Sequence, residues 1–478
     1  MGGAHSREQL FDELREGSSG QPARRSTDWL ASSHPPLAVL LITNNVSGIF
    51  DDIRVRLPLW ISQIGATIDS HQPDFVAIHV QEVGGSNWRR NGLSQIGAVS
   101  QMLGEKFPKF WCSGLLCDTD LSDAFTALGA VFFVRKSIAD RVHMWRFRER
   151  EGGDGILSPV SSLPSPLTEE PGADPLLCRL SQFPTDMFFD GKLSRKGYLI
   201  TRWRLDKVVI DLVNIHNMHD ELNTVGVQRD ATSDESQYAR RRRECLEFTM
   251  NQQLELSASL DPKPACFVFG DFNFRQNTAD VINDLCGPAE LERARSLNEK
   301  DPSITLQSAS RTGAAIEFGP KRFRLINPER AMERKFDEFN KEAQEYLKHA
   351  KLKLKLYEMP LAFPPSYNYD PNAIVGDLGT IVKRIIRRTS TSTPTGILKG
   401  VTSMRTLGVS DESLTSPDQE LSEYFSPKRC PSWCDRVLMN RTAYMLATKS
   451  KPAATYSSYF QEPLLTDHNQ VCLRLTLS

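Results

Sequence analysis

The stretch CFVFGDFNFR, residues 266–275, constrains this chain more than any other. Its first half, between Pro264 and Gly270, is an unbroken apolar and aromatic run. Such a run reads as a short strand buried on both faces. It delivers Asp271 and Asn273 at its C-terminal tip, the end at which open α/β sheets bind ligands. An Asp and an Asn after a glycine also serve ordinary turns. Their meaning therefore depends on what the other strand ends carry.

Those ends repeat the pattern. Residues 37–43 (LAVLLIT) form a second buried-strand run and lead into Asn44 and Asn45. Residues 75–80 (FVAIHV) form a third, ending in Gln81 and Glu82 before Gly84 and Gly85. Residues 55–70 between them have the mixed apolar pattern of a helix, so the chain opens as β-α-β. Residues 127–135 are another strand, and 199–205 with 207–213 form a pair turning at Asp206 and Lys207. The second of that pair leads to His216 and His219. Two His three apart can ligate a metal, but no nearby Cys or third His completes a zinc set, so donation to an anion is the favoured role. Near the C-terminus, CPSWCDRVL (430–438) and TDHN (466–469) place Asp435, Asp467 and His468 beside two further apolar strands.

Composition sets outer bounds. With 40% hydrophobic residues the 478-residue chain can bury a large core, and a formal charge of −1 offers no global field for nucleic acid. An anionic ligand must then be held by local Arg and Lys. Nine scattered cysteines fit a reducing, cytoplasmic setting rather than a disulfide framework. No apolar run approaches the roughly 20 residues of a membrane span. MGGAHS at the start fits N-myristoylation on Gly2, with Arg7, Arg15, Arg24 and Arg25 as a second, electrostatic signal for the inner face of the plasma membrane. Residues 1–36 read as a flexible lead, and 151–175 and 377–427 as low-complexity insertions, the latter with a basic patch at 383–388. Residues 233–256 read as a helix whose arginines at 240–243 are mostly a solvated face, and 327–356 as a one-sided amphipathic helix carrying Phe336 and Phe339.

The strand ends together supply Asn45, Glu82, His216, Asp271, Asn273, Asp435, Asp467 and His468. Oxygen donors without thiolates suit a hard cation such as Mg²⁺. Carboxylates and imidazoles around such a cation suit phosphoryl transfer to water. From the residues alone the reading stops at a metal-assisted hydrolase of the phosphoesterase kind.

GDFNFR (270–275) with CPSWCDRVL (430–438) resembles the two signature motifs of the inositol polyphosphate 5-phosphatases, of the DNase I-like endonuclease, exonuclease and phosphatase superfamily. The resemblance is closest to the type I enzymes, through TNNVSGIFDD from Thr43, HVQEVGG from His79, SRKGYLITRW from Ser194, DLVNIHNMHD from Asp211 and LYEMPLAFPPSYNY from Leu356. It implies a four-layer α-β-β-α sandwich, two mixed sheets packed face to face with helices outside, in one catalytic domain over residues 37–478. It also implies a monomer that hydrolyses the 5-phosphate of inositol 1,4,5-trisphosphate and inositol 1,3,4,5-tetrakisphosphate with Mg²⁺, ending calcium signals. Carried over by position, Glu82 is the metal ligand with Asn45 in support, Asp271 orients or deprotonates water, and Asn273, His216 and His468 hold the scissile phosphate. Asp435 orients His468, with Asp467 beside them. Arg195, Lys196, Tyr367 and Arg436 match positions that contact substrate. Three alternatives remain at this point: a phosphoinositide lipid 5-phosphatase, a DNA-repair nuclease on the same fold, and a non-catalytic inositol phosphate-binding scaffold. Asn368, where lipid-acting members carry Lys, favours the soluble substrate, while Thr466 and Gln470 depart from the family pattern around Asp467 and His468.

Overall fold

Alternate side chains of β1 (Leu37–Asn45) point to opposite faces, and both faces are covered. Leu37, Val39 and Leu41 join a core between two sheets, while Leu40 and Ile42 pack outward against helices. A strand buried on both sides needs no polar alternation, which is why these segments are continuous apolar runs. In the computed structural model, the described residues are 34–119, 122–147, 155–167, 176–191, 194–228, 236–310, 313–326, 334–339, 355–371, 424–459 and 464–478. Gly2 and the rest of 1–33, and residues 372–423 of the second insertion, lie outside them.

Among the described residues, β1 belongs to a seven-stranded sheet with β2 (Phe75–Gln81), β3 (Phe110–Cys112), β4 (Leu116–Cys117), β5 (Gly129–Arg135), β17 (Thr455–Tyr459) and β18 (Gln470–Leu477). Its order is β17-β18-β1-β2-β5-β3, with β4 also on β5. The second sheet has eight strands: β6 (Val142–Phe147), β7 (Gly155–Pro159), β8 (Arg179–Gln182), β9 (Gly197–Leu205), β10 (Val208–His216), β11 (Ala265–Asp271), β15 (Tyr357–Glu358) and β16 (Asp435–Met439). They run β15-β16-β11-β10-β9-β6-β7, with β8 on β9. Both sheets are mixed, since β1 is parallel to β2 and β10 to β11 while their other neighbours are antiparallel.

Phe75 and Phe132 of one sheet meet Trp203 of the other, ring centroids 5.3 and 4.7 Å apart, in the core between them. Burying each such side chain contributes about 1.5–3 kcal/mol. Outside the first sheet lie α1 (Ser47–Asp51), α2 (Ile53–His71) and α3 (Trp88–Lys106), with Leu57, Trp60, Ile64 and Ile68 of α2 on the sheet's outer face. Outside the second, α5 (Gln237–Leu256), which follows the short α4 (Asn223–Val227), packs Cys245, Leu246 and Met250 on Ile200, Val213 and Val268. The expected four layers are therefore present. Two more helices, α6 (Thr278–Cys286) and α7 (Pro288–Arg295), share a separate core with a three-stranded sheet of β12 (Ile304–Gln307), β13 (Ala314–Gly319) and β14 (Arg322–Leu325). Helix α8 (Arg441–Thr448) adds Ala443 and Ala447 to the inner core. Contacts gather Leu37–Leu477 into one compact unit. No helix among the described residues is long and apolar enough to cross a membrane.

Polar links tie the two sheets together near one rim. Asn214 of β10 donates to the carbonyls of Val80 and Gly129 at 3.1 and 2.8 Å and accepts from Gln81 at 2.8 Å. These bonds hold the C-terminal ends of β2 and β10 together, and with them those of their parallel neighbours β1 and β11.

Two expectations are corrected, and the mostly solvated arginine run at 240–243 has one exception. Residues 155–159, read as flexible, form β7 and pair with β6 from Gly155 to Pro159. Of the arginines at 240–243, Arg242 is fully buried, with Glu338 at 2.6 Å and Asp220 on its other side, because one position in a helical run of four must face inward. Arg334–Phe336 is a single 3₁₀ turn rather than part of a long helix. Residues 327–333 and 340–354 of that expected helix lie outside the described residues.

Candidate active site

Strand register assembles the site. In the parallel pair β10–β11, His216 stands level with Asp271, and in the antiparallel pair β11–β16, Asp271 stands level with Asp435. In the other sheet Asn45 is level with Gln81, so Glu82 is the next residue out. Glu82 has φ 61 and Asn273 φ 54, both in the left-handed region uncommon for residues other than glycine. Backbone strain of this kind concentrates at functional sites, where surrounding structure overrides it.

The side chains from both sheets meet at Asp271. Asn45 Nδ2 donates to Asp271 Oδ2 at 3.1 Å and to Glu82 Oε1 at 3.4 Å. His216 Nε2 lies 3.4 Å from Asp271 Oδ2 and 3.7 Å from Glu82 Oε1. His468 Nε2 approaches the same Asp271 oxygen at 3.9 Å, while its Nδ1 sits 2.8 Å from Asp435 Oδ2. Asp435 is in turn held by Ser366, whose hydroxyl donates to Oδ2 at 2.8 Å and accepts from the Asp435 N–H at 3.0 Å. Asn273 donates through Nδ2 to Asn217 O at 3.0 Å and to Asp271 Oδ2 at 3.2 Å, and Arg275 fixes its carbonyl oxygen at 2.7 Å. Asp467 is half-buried at the edge of this cluster, its pKa raised by burial.

Charge is unevenly distributed. Burial alone would raise the pKa of Asp271, but His468, His216 and Lys196 hold it well below the usual carboxylate range. Burial also opposes ionisation of Glu82, yet Lys196, His216 and Arg195 bring it to about 2. Desolvation pushes Asp435 up to about 6 against the pull of His468. His468 rises to about 10 in spite of burial because Asp435 and Asp271 face it, so it stands as an imidazolium between carboxylates.

A divalent cation fits the chemistry of this donor set. Glu82 and Asp271 aim oxygens at a shared Asn45 amide, two ionised carboxylates around one weak donor, with no thiolate among them. Such a pair of hard oxygens attracts a hard cation. Asp271, Asp435 and His468 also bring ligand atoms within 4.8 Å of one another, but His468 Nδ1 is already committed to Asp435, which makes that trio an oriented histidine rather than a metal cage. Glu82 is the better cation position, beside Asn45, whose Nδ2 faces the two carboxylates while its Oδ1 accepts from the Ser47 N–H at 3.3 Å.

Of the four expected substrate contacts, three reach the site. Lys196 is buried with its ammonium against His216 Nε2, and desolvation lowers its pKa to about 8. Arg195 lies at the rim, donating to Gly85 O at 2.7 Å with Glu82 Oε2 at 3.8 Å. The Tyr367 ring has the Arg275 guanidinium carbon 4.5 Å from its centroid and meets the His468 ring, tilted by 39°, at 4.6 Å. Arg436 does not reach the site. Its guanidinium is fully buried, paired with Glu358 at 2.7 and 2.6 Å and with Asp337 at 3.0 Å. It packs with Phe274 and Phe339 on the outer face of the sheet, opposite Asp435. The residues overlooked in the sequence are Arg275, Ser366 and Asn217, which position Asn273, Asp435 and Asn273 respectively. Arg275 closes GDFNFR and Ser366 lies in the aromatic loop, so their motifs were visible but their partners were not.

Comparison with known proteins adds a second line. No protein-family model matches the chain. It is 27% identical over 459 residues to inositol polyphosphate-5-phosphatase A of Rattus norvegicus, covering 93% of this chain and 94% of that one. It is likewise 27% identical over 475 residues to a probable type I inositol 1,4,5-trisphosphate 5-phosphatase of Caenorhabditis elegans, covering 92% and 99%. The chain aligns with the inositol polyphosphate 5-phosphatase domain of SPsynaptojanin, solved with inositol (1,4)-bisphosphate and calcium ion, at 13% identity and TM-score 0.39, over 93% of this chain and 84% of that one. That last likeness is too distant to assign a role to any residue.

Proposed function

We infer that this chain is an inositol polyphosphate 5-phosphatase, a hydrolase, and that it removes the 5-phosphate of soluble inositol 1,4,5-trisphosphate and inositol 1,3,4,5-tetrakisphosphate with Mg²⁺. The observation that supports this most is the meeting of Asn45 and Glu82 from one sheet with His216, Asp271 and Asp435 from the other, and His468 beside them. The near full-length similarity to named 5-phosphatases supplies the substrate class.

Glu82 is the residue that would hold the cation, with Asn45 beside it in support of the carboxylate. When bound, Mg²⁺ offsets charge on the phosphate oxygens and favours the ionised form of nearby water. Asp271, held as a carboxylate, accepts a hydrogen bond from the attacking water and orients it in line with the scissile bond. His468, charged and fixed through Nδ1 by Asp435, presents Nε2–H to a phosphate oxygen as negative charge develops there. His216 contributes its Nε2 edge beside Lys196, and Lys196 brings positive charge into the same space. Asn273, locked by Asn217 and Arg275, gives its second amide hydrogen to Asp271 Oδ2 and so holds that carboxylate in place for the water. No covalent intermediate forms, because Asp271 serves water rather than attacking phosphorus.

The experiment is phosphate release by the full chain, with and without Mg²⁺, from the two soluble compounds and from vesicles of phosphatidylinositol 4,5-bisphosphate. Mg²⁺-dependent release from the soluble compounds is expected. A large preference for vesicles overturns the soluble-substrate half of the reading, and no release from any of them overturns all of it. Acylation of Gly2, bringing the enzyme to the inner face of the plasma membrane, belongs to the same reading and is tested by labelled myristate on wild type and Gly2→Ala.

A further inference from the structure

The loops that follow β10 and β11 carry Asn217 and Asn273, and one residue outside the cluster ties them together. Arg242 of α5 is fully buried, and all three of its side-chain nitrogens donate to carboxylates. Nη1 donates to Asp220 Oδ1, in the loop leaving β10. Nε and Nη2 donate to Glu338, at 3.1 and 2.6 Å. Glu338 is in turn bonded to the loop leaving β11. Its Oε2 accepts from the Arg275 N–H at 3.1 Å, and its own N–H donates to Arg275 O at 3.0 Å. The main chain of Arg242 takes part as well, its carbonyl accepting from Asn217 Nδ2 at 2.8 Å.

These bonds close a ring around Asp271 and Asn273. The Asn217 N–H donates to Asp271 O at 2.9 Å, and Asn217 O accepts from Asn273 Nδ2 at 3.0 Å. Arg275, its main chain fixed by Glu338, reaches Asn273 Oδ1 at 2.7 Å through Nη2 and Cys434 Sγ at 3.3 Å through Nη1. Asn273 then gives its N–H and Nδ2 to the two oxygens of Asp271, at 2.8 and 3.2 Å. Its φ of 54 persists only because its surroundings hold it there. A buried ion pair adds little net stability, since desolvating both partners offsets most of their attraction. What a guanidinium supplies is direction: its donors lie in one plane and fix two carboxylates relative to each other, which a lysine ammonium does not do.

We propose that Arg242 is a positioning residue for phosphate-ester hydrolysis. Through Asp220 and Glu338 it locks the loops after β10 and β11 together, in the arrangement at which Asp271 meets the attacking water. This rests on the reading of the chain as an inositol polyphosphate 5-phosphatase. Arg202 is the control. It is also fully buried and paired, with Asp211 at 2.6 and 2.9 Å, but its other partners are Leu256 O at 3.0 Å and the Ser257 hydroxyl at 2.7 Å, at the C-terminal end of α5. Losing that pair weakens the fold without loosening the ring around Asp271.

The test is steady-state phosphate release with Mg²⁺ by the full chain as wild type, Arg242→Lys, Glu338→Gln and Arg202→Lys. The substrate is inositol 1,4,5-trisphosphate, or vesicles of phosphatidylinositol 4,5-bisphosphate if wild type hydrolyses only those. Urea unfolding sets a temperature at which each variant is folded. Arg242→Lys keeps the charge and gives up the fork, so kcat should fall about 10²-fold with KM nearly unchanged, the signature of misplaced reacting groups. Glu338→Gln keeps an oxygen for the Arg275 N–H but not the charge that holds the guanidinium, and kcat should fall in the same way by a smaller factor. Arg202→Lys should lower the urea midpoint and leave kcat unchanged. A wild-type kcat in Arg242→Lys, or an equal loss of kcat in Arg202→Lys, overturns this proposal alone. If Arg242→Lys does not fold, Glu338→Gln decides by the same two readings. Absence of phosphate release by wild type from either substrate overturns the functional reading and this proposal with it.

Discussion

His468 Nδ1 lies 2.8 Å from Asp435 Oδ2, and the opposite edge of the same ring lies 3.9 Å from Asp271 Oδ2. One carboxylate fixes the ring and the other marks where chemistry occurs. Asp435→Asn keeps the shape but puts an amide where the ring nitrogen needs an acceptor, and removes the charge that keeps His468 protonated. The expected result is a fall in kcat of about 10²–10⁴-fold with little change in KM. Ser366→Ala, which removes only the hydroxyl holding Asp435, should fall between wild type and Asp435→Asn. Equal kcat for Asp435→Asn and wild type would remove His468 from the reaction.

Arg436 is expected to matter for stability rather than for substrate. Arg436→Met removes the buried cation that contacts both Asp337 and Glu358. Breaking a buried pair from one side costs about 3–5 kcal/mol, read as a lower urea midpoint at unchanged m. Adding Asp337→Asn and Glu358→Gln should recover much of that loss. A wild-type midpoint combined with a raised KM would return Arg436 to the substrate.

Strand geometry explains what could and could not be read beforehand. The runs at 37–43, 75–80 and 266–269 were legible because strands covered on both faces are continuously apolar, and the polar residues at their tips then stood out. Arg436 was misplaced although the rule that places it is simple. Neighbours in a strand face opposite ways, so with Asp435 directed at His468, Arg436 must face the outer side with Leu438. Partners distant in sequence were not legible at all: nothing local joins Ser366 to Asp435, or Asn214 to the carbonyls of Val80 and Gly129. The strand at 155–159 was hidden because a short edge strand buries little and carries loop-like composition.

Glu82 should report the cation independently of turnover. Against burial, Lys196, His216 and Arg195 hold Glu82 ionised, so Glu82→Gln gives up those attractions while keeping size and the backbone at φ 61. Wild type should gain stability with Mg²⁺, by about 2.7 kcal/mol at one hundred times the dissociation constant. Glu82→Gln should be less stable than wild type in chelator and lose most of that gain. A variant stabilised by Mg²⁺ as strongly as wild type would move the cation away from Glu82.

The last prediction concerns acid. His79 of β2 reaches across the sandwich, its Nδ1–H donating to the carbonyl of Phe269 at 3.0 Å while the two rings stack at 3.6 Å. Burial lowers its pKa to about 3, against the smaller opposing effect of that hydrogen bond. The unfolded chain takes up a proton on this ring below about pH 6.5, and the folded chain does not until about pH 3. The folded pKa is depressed, so the contribution to stability is intact above about pH 6.5 and declines as pH falls, by about 1.4 kcal/mol per unit. Most carboxylates titrate lower, which leaves pH 6.5 to about 5 as the clean window. In His79→Phe the ring stack can persist while the titration is gone. Stability at neutral pH should drop by about 1 kcal/mol for the lost hydrogen bond. The slope of stability between pH 6.5 and 5 should then be shallower than in wild type by nearly the full single-proton value. Urea unfolding at several pH values in that range measures both slopes, and parallel slopes would show that His79 is not neutral in the folded protein.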